Sequence, residues 1–238
     1  MNKLLSVVLL STVAMVANDE FKYNIGMQVG NIGIQGDYKL GDNNSNHTFS
    51  TIGIGYSQHI KTPTINVIYN RHQLYTSFFS IKYNTKYLLL QDIIKDNITY
   101  EKGINIDTKL ENNFLSFGYK YKKNNVLFGY SIHRYHYYLG LKDGLYQTKV
   151  EDTYVFPTLD IDVSNKAGIY SLDYGANIGD GSNMNYFNFY CSGGFDFIYI
   201  KKSKLSLGYR LSEFYISDGI YETMHRYKGT FLKLEVNF

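Results

Sequence analysis

Apolar side chains alternate with small or polar ones from Phe21 to the end of the chain, with a period of two residues. This period is typical of β-strands whose two faces lie in different environments. In the last segment, the apolar face carries Leu232, Leu234, Val236 and Phe238. Its opposite face carries Gly229, Lys233, Glu235 and Asn237. The pattern predicts an all-β chain.

Ten segments follow this pattern, over residues 23–29, 52–56, 65–69, 115–121, 126–132, 159–163, 170–176, 187–199, 205–211 and 232–238. The alternation is interrupted once near the start of the chain. After Gly30 the apolar positions change phase to Ile32 and Ile34, which predicts a β-bulge.

Two kinds of connection join the segments. Short, polar, lysine-bearing stretches are predicted turns, at residues 61–64, 122–125, 164–167 and 201–204. Longer stretches, mostly rich in Asn, Asp and Gly, are predicted outer loops, at residues 41–47, 81–111, 142–152, 179–184 and 217–225. Ten antiparallel strands with both termini at one end need this number of turns and loops. Residues 83–87 allow another hairpin, so twelve strands stay open as an alternative, as do eight.

A secreted β-sandwich also alternates, and the aromatic content favours a membrane barrel over it. The sequence holds 25 Tyr and 15 Phe but no Trp. Aromatic rings near strand ends suit the interfacial girdles of a transmembrane barrel, and only a closed barrel pairs every backbone group of a sheet in lipid. A slip of the last strand by one residue would turn Lys233 toward hydrocarbon, at a cost of ~2 to 4 kcal/mol near the midplane. We therefore predict a closed antiparallel up-and-down transmembrane β-barrel of about ten strands.

Residues 1–17 have the pattern of a bacterial secretory signal peptide, with Lys3 before an apolar run. The barrel then comprises residues 18–238. The net charge of +3 is far from the dense basic surface of a nucleic-acid-binding protein, so no nucleic-acid partner is expected. Cys191 is the only cysteine, which excludes an internal disulfide.

The C-terminal stretch resembles the signal by which Gram-negative barrels are recognised for assembly. Its positions here are Gly229, Leu232, Leu234, Val236 and Phe238. Leu234 and Val236 depart from the pattern, in which aromatic residues are common there. The whole layout is similar to small Gram-negative outer-membrane β-barrel proteins of the OmpA/OmpW-like kind. This resemblance implies export through Sec, a location in the bacterial outer membrane, and outer-membrane lipid and the barrel assembly machinery as partners; it implies no particular substrate.

The polar faces carry the charges that are expected to point into the lumen: Lys120, Asp160, Asp162, Asp173, Asp196, Arg210, Lys233 and Glu235. Small barrels are filled by side chains whereas open porins need ~16 to 18 strands, so we expect paired charges to fill most of the lumen. Arg210 and Lys233 are expected to pair with carboxylates among Asp173, Asp196 and Glu235. A structural or surface-interaction role follows, with a narrow channel for small solutes or ions as the alternative.

Two Ser/His pairs share a strand face, Ser131 with His133 and Ser57 with His59. A histidine at this spacing is close enough to activate a hydroxyl. However, spacing assigns no orienting carboxylate, and the alternation turns Ser131 away from the lipid. An outer-membrane lipid hydrolase is therefore the least favoured function, and no enzyme activity is expected. No metal-ligand spacing recurs, and no cofactor is expected.

Overall fold

The computed structural model describes residues 21–42, 45–50, 57–89, 92–95, 98–144, 146–181, 184–200, 202–217 and 221–238. The predicted signal peptide lies outside the described residues. The described segments are β1 (Phe21–Asp42), β2 (Ser45–Ser50), β3 (Ser57–Tyr69), β4 (His72–Leu88), β5 (Ile93–Lys95), β6 (Ile98–Tyr100), β7 (Asn105–Lys123), β8 (Val126–Asp143), β9 (Tyr146–Ala167), β10 (Tyr170–Gly181), β11 (Met184–Ile200), β12 (Ser203–Ser217) and β13 (Tyr221–Asn237). Within these residues, no helix has the length and apolar character needed to cross a membrane.

Ten of these segments close into one antiparallel barrel, which confirms the predicted fold class. Their order around the wall is β1-β3-β4-β7-β8-β9-β10-β11-β12-β13, and β13 pairs with β1 to close the sheet. β2 lies in line with β3, since both pair with the edge of β1 that faces away from β13. β5 and β6 form a separate small sheet, so they add no strand to the wall. The alternatives of eight and twelve strands are therefore wrong.

The first turn lies later than the sequence predicted. Residues 61–64 belong to β3, and the turn is at Asn70 and Arg71, where Asn70 has a φ of 53°. Pro63, within this predicted turn, lies in β3 beside the point where pairing with β4 ends, at Thr64. A missing N–H is tolerated at such a place. Residues 65–69 are the end of β3, and residues 52–56 lie outside the described part of the chain.

The sequence did not predict β4, because apolar residues occupy both of its faces. Leu74 and Phe78 point outward, whereas Tyr75 and Phe79 line the lumen. The predicted loop at 81–111 is much shorter as a result. β4 and β7 stay paired up to Leu88 opposite Asn105, and the connection between them is residues 89–104.

The other turns are close to their predicted places. β7 meets β8 at Asn124 and Asn125, and β12 follows Lys202. The third turn is at Gly168 and Ile169 and not at 164–167, which belongs to β9; Gly168 has a φ of 62°. The N–H of Phe238 donates a hydrogen bond of 2.9 Å to the carbonyl of Tyr23. The start of β1 and the last residue therefore lie at the same end as the four turns, which we call the near end.

No bulge interrupts β1. Its register with β13 runs without a shift from Asn24 opposite Asn237 to Leu40 opposite Tyr221, so the bulge predicted after Gly30 is wrong. A register shift does occur in β11, between Asp196 and Ile198.

The alternation reverses its sense part-way along the strands. In β8, Ile132 points outward and is followed on the same face by Arg134, whereas His133 points inward and is followed by Tyr135. β9 has 22 residues, although about 9 to 11 cross a membrane. The near half of the barrel thus has an apolar outer belt suited to lipid, and the far half has a polar exterior and an apolar interior.

A row of paired outward residues marks the boundary between the two halves: Ser80, Asn113, His136 and Thr153. The far half contains the hydrophobic core, which includes Ile106, Leu110, Leu139, Leu141 and Ile216. Leu89 and Tyr100, from the connection between β4 and β7, are buried in this core.

Candidate functional site

The near half of the barrel encloses a cavity of about 1080 Å³. Exposed residues of the near end, among them Lys22, Arg71 and Lys166, line its mouth. The prediction that paired charges fill most of the lumen is therefore wrong for this half. The physical reason is size, because ten strands enclose more space than the eight that side chains fill.

Aromatic rings separate this cavity from the core of the far half. We call them the aromatic septum: Phe79, Phe114, Tyr135, Tyr186, Phe214 and Tyr227. The ring centroid of Phe114 lies 4.4 Å from that of Tyr135 and 5.1 Å from that of Phe214. Tyr227 lies 5.2 Å from Phe214 and 5.6 Å from Phe79. These distances are those of stacked and edge-to-face pairs, so the rings pack directly across the lumen.

On the near-end side of the septum, the Asp160 carboxylate accepts hydrogen bonds from four side chains on four different strands. Tyr75 and Ser131 each donate to Oδ2 at 2.8 Å. Thr158 and Asn177 donate to Oδ1 at 2.7 and 2.8 Å. The residue is 4% exposed. A buried carboxylate is costly unless it is fully hydrogen-bonded, and here the donors meet that requirement.

Gly118 makes room for this network. A Cβ atom at position 118 would lie 2.4 Å from Cε1 of Tyr75 and 2.7 Å from Cβ of Ser131. No real side chain fits at these distances, so the Tyr75 ring reaches Asp160 only because β7 has a glycine here.

His133 extends the network on the other side of Ser131. Its Nε2 lies 2.8 Å from the Ser131 hydroxyl, and its Nδ1 lies 2.8 Å from the Ser116 hydroxyl. Ser131 stands between the imidazole and Asp160, so the described carboxylates do not orient the ring directly. The Ser131 side chain is also buried, with 1% exposure. This arrangement favours a structural network over an activated nucleophile; the side chains of Ser57 and His59 lie outside the described part.

Two of the predicted lumen charges pair beside this network. Lys120 Nζ lies 2.5 Å from Asp162 Oδ2 and 3.9 Å from Asp160 Oδ2. It also lies 4.3 Å from the centroid of the Tyr75 ring. The other oxygen of Asp162 accepts a hydrogen bond of 2.6 Å from the Tyr190 hydroxyl.

A second charge cluster lies nearer the near end. Lys233 pairs with Glu235 at 2.9 Å, as the sequence suggested. Lys204, which sequence reasoning missed, pairs with Glu235 at 2.6 Å and with Asp196 at 3.6 Å. The sequence does contain a signal for it, because Lys204 alternates with the outward positions Leu205 and Leu207 and therefore belongs to the lumen face.

The last two predicted charges do not join either cluster. The guanidinium of Arg210 lies 4.6 Å from the centroid of the Tyr190 ring. Asp173 lines the cavity, as does Arg210. Across the described residues, no three His, Cys, Asp or Glu side chains are grouped as metal ligands.

The residues of the predicted assembly signal lie on β13, apart from Phe238 directly after it. Leu232, Leu234 and Phe238 are exposed on the outer face, as the alternation predicts. β13 is also the strand that closes the barrel against β1.

The fold is similar to that of solved outer-membrane barrels. Outer membrane protease OmpT from Escherichia coli has a TM-score of 0.56 and 10% sequence identity, and the alignment covers 94% of this chain and 99% of OmpT. Ail, the attachment invasion locus protein of Yersinia pestis, has a TM-score of 0.45 and 9% identity over 90% of this chain and 99% of Ail. Neisserial surface protein A has a TM-score of 0.34 and 10% identity over 91% of this chain and 97% of that chain.

No protein-family model matches the sequence, and no curated protein matches it significantly. At these identities, the structural likeness concerns the fold alone. The chain has the fold of a small bacterial outer-membrane β-barrel, and its apolar belt fits the membrane that such barrels span.

Proposed function

We propose that this protein is a non-conducting outer-membrane barrel with a structural or surface-interaction role. The aromatic septum carries this proposal, because rings from opposite walls meet at 5.1 Å and, among the described residues, pack across the lumen at the far side of the cavity. The core of the far half lies beyond the septum, so the barrier has more than one layer.

The far half supplies the surface for such a role. Ion pairs cross its outer face between neighbouring strands, as between Lys82 and Glu111 at 2.6 Å. Lys109 pairs with the same carboxylate at 2.9 Å and lies 5.3 Å from the centroid of the Tyr138 ring. Regular strands hold these groups in fixed positions. Tyrosine rings are enriched at interfaces and fixed charges give specificity through electrostatic complementarity, so this surface suits recognition of a partner outside the cell.

Planar-bilayer recording tests the proposal. Protein refolded in detergent, with its folded state verified by heat-modifiable migration on gels, should insert without discrete conductance steps. An open porin in the same bilayers serves as the positive control. Steps of constant size from the folded protein would support the narrow channel instead and end this proposal.

We propose in addition that the barrel assembly machinery recognises the C-terminal strand. Phe238 is 59% exposed at the near end, where it is accessible to a partner in the periplasm. Phe238→Ala should lower the amount of folded barrel in the envelope, whereas Phe195→Ala, another outward aromatic, should not. Equal folded yields for both variants would count against this role.

A further inference from the structure

The lining of the cavity has more positive than negative side chains, although two carboxylates outside the lining, Asp160 and Asp196, lie 3.9 and 3.8 Å from Lys120 and Lys166. Among the described lining residues, seven are Lys or Arg: Lys22, Arg71, Lys120, Lys122, Lys166, Arg210 and Lys233. Three are Asp or Glu: Asp162, Asp173 and Glu235. A cleft lined by one sign of charge, with low-dielectric walls around it, concentrates ions of the opposite sign.

This excess is divided between the wall and the mouth. In the wall, Lys120 and Lys233 are paired with Asp162 and Glu235 at 2.5 and 2.9 Å. At the mouth, Lys22, Arg71 and Lys122 are exposed cations on the strand ends and turns of the near end. An ion that enters from this end therefore passes several positive side chains before it reaches the wall.

Arg210 is the cation that a ligand inside the cavity would meet. Its guanidinium rests on the Tyr190 ring, and the Tyr190 hydroxyl is fixed by Asp162 at 2.6 Å. Within the described part of the chain, no carboxylate forms an ion pair with Arg210, and no protein group accepts a hydrogen bond from it. A guanidinium held by its face keeps its edge donors for a planar carboxylate or a phosphate.

We propose that the cavity binds a small anion with at least two negative charges, a carboxylate or a phosphate, which enters from the near end, the periplasmic side of such barrels. The volume of about 1080 Å³ is ample for a ligand of this size. Arg210 binds one anionic group, and the positive mouth favours entry. The aromatic septum lies across the far side of the cavity, so the anion leaves through the mouth at the near end by which it entered.

Calorimetric titration of the folded full-length protein in uncharged detergent tests the site at low ionic strength. The probes are citrate and pyrophosphate, titrated separately, since carboxylates and phosphates share the required chemistry. We expect one site for at least one probe and at least about a tenfold loss of affinity in Arg210→Gln, because the variant loses a hydrogen-bonded charge pair with the anion. The matched control is Arg134→Gln, which removes a cation from the outer face and should bind as the native protein does.

Three results overturn the proposal. They are no binding of either probe at concentrations up to about 10 mM, where a site with a Kd of ~1 mM would be mostly occupied, unchanged affinity in Arg210→Gln, or equal losses of affinity in Arg210→Gln and Arg134→Gln.

A second measurement does not depend on the folding of Arg210→Gln. Ser192 lines the cavity and pairs in register with Arg210 on one side and with Asp173 on the other, so a thiol at this position reports which of the two charges governs the site. In a Cys191→Ser background, Ser192→Cys should react faster with a negatively charged methanethiosulfonate than with a positively charged one of similar size. Citrate should reduce this preference, whereas a preference for the cation contradicts the proposal. The presence or absence of conductance steps in the planar bilayer has no bearing on either binding result. The proposed function and the proposed anion site are therefore tested independently.

Discussion

The rings of Phe114 and Phe214 lie 5.1 Å apart, edge to face, although β7 and β12 stand on opposite sides of the ten-strand barrel. Phe114 is buried, whereas Phe117 on the same strand is 60% exposed to the lipid belt. Phe114→Ala should therefore lower the free energy of unfolding by about 3 to 5 kcal/mol, because it opens a cavity in the septum. Phe117→Ala should cost much less. Urea titration of folding into lipid vesicles measures both, and equal losses would mean that the septum is not packed as described.

Asp160 should be the most sensitive carboxylate of the lumen. Asp160→Ala leaves four donors without their acceptor and leaves Lys120 with less compensation. We expect a loss of about 3 to 5 kcal/mol, typical of breaking a buried charged network. Asp173→Ala is the control, since Asp173 lines the same cavity outside the network. The same vesicle titration decides the matter: a neutral Asp160→Ala would contradict the hydrogen bonds described.

Gly118 and Gly193 form a matched pair of glycines. A Cβ at position 118 meets Tyr75 at 2.4 Å, whereas one at position 193 meets no described atom within 4 Å. Gly118→Ala should displace Tyr75 from Asp160 and destabilise the barrel by about 1 to 3 kcal/mol through overpacking. Gly193→Ala should be close to neutral. The thermal midpoint of heat-modifiable gel migration compares the two, and a neutral Gly118→Ala would show that the network adapts.

The boundary between the halves predicts how outward positions on one strand respond to charge. Leu159 lies in the belt with 74% exposure, and Thr153 lies in the polar row on the same face of β9. Leu159→Arg should cost about 2 to 4 kcal/mol as a charge in the hydrocarbon, and Thr153→Arg about 0 to 1 kcal/mol. Folding yield into vesicles at a series of urea concentrations measures both. A reversed order would place the lipid belt elsewhere.

Glu111, on the outer face of the far half, should give a small dependence of stability on pH. Hydrogen bonds from Lys82 and then from Lys109 hold the pKa of its carboxyl below its usual 4.5. Because the folded-state pKa is lowered, this stabilisation is complete above the usual value and is lost as the pH falls through the lowered one. The Glu111 side chain is only 17% exposed, but both of its lysine partners are exposed to solvent at the surface, so the effect should stay below ~1 kcal/mol and shrink in high salt. Native protein and Glu111→Gln should therefore differ in thermal midpoint at neutral pH and converge in acid; a constant difference would exclude this ion pair as the cause.

The sequence by itself determined the fold class and the facing of the near half. Leu232 and Leu234 alternate with Lys233 and Glu235, and in lipid only one of the two faces can turn outward without a large cost. The same reasoning failed at Gly30, where we interpreted a change of phase as a bulge. The phase changes in β8 because the strand leaves the lipid, and in water the apolar face turns inward. The alternation in the sequence shows that the apolar positions change phase, but it does not show whether a bulge or the passage from lipid to water causes the change.

Only the tertiary structure decided which lumen residues meet. Asp160 receives donors from β4, β8 and β10, whose positions are set by cross-strand register, and one from Thr158 on its own strand, β9. Phe114 and Phe214 look like ordinary strand residues until closure of the barrel brings opposite walls together. Arg210 was expected to pair with a carboxylate and instead lies on Tyr190. Sequence spacing gives the face of a residue, whereas barrel closure and register give its neighbours, and the chemistry of the lumen depends on those neighbours.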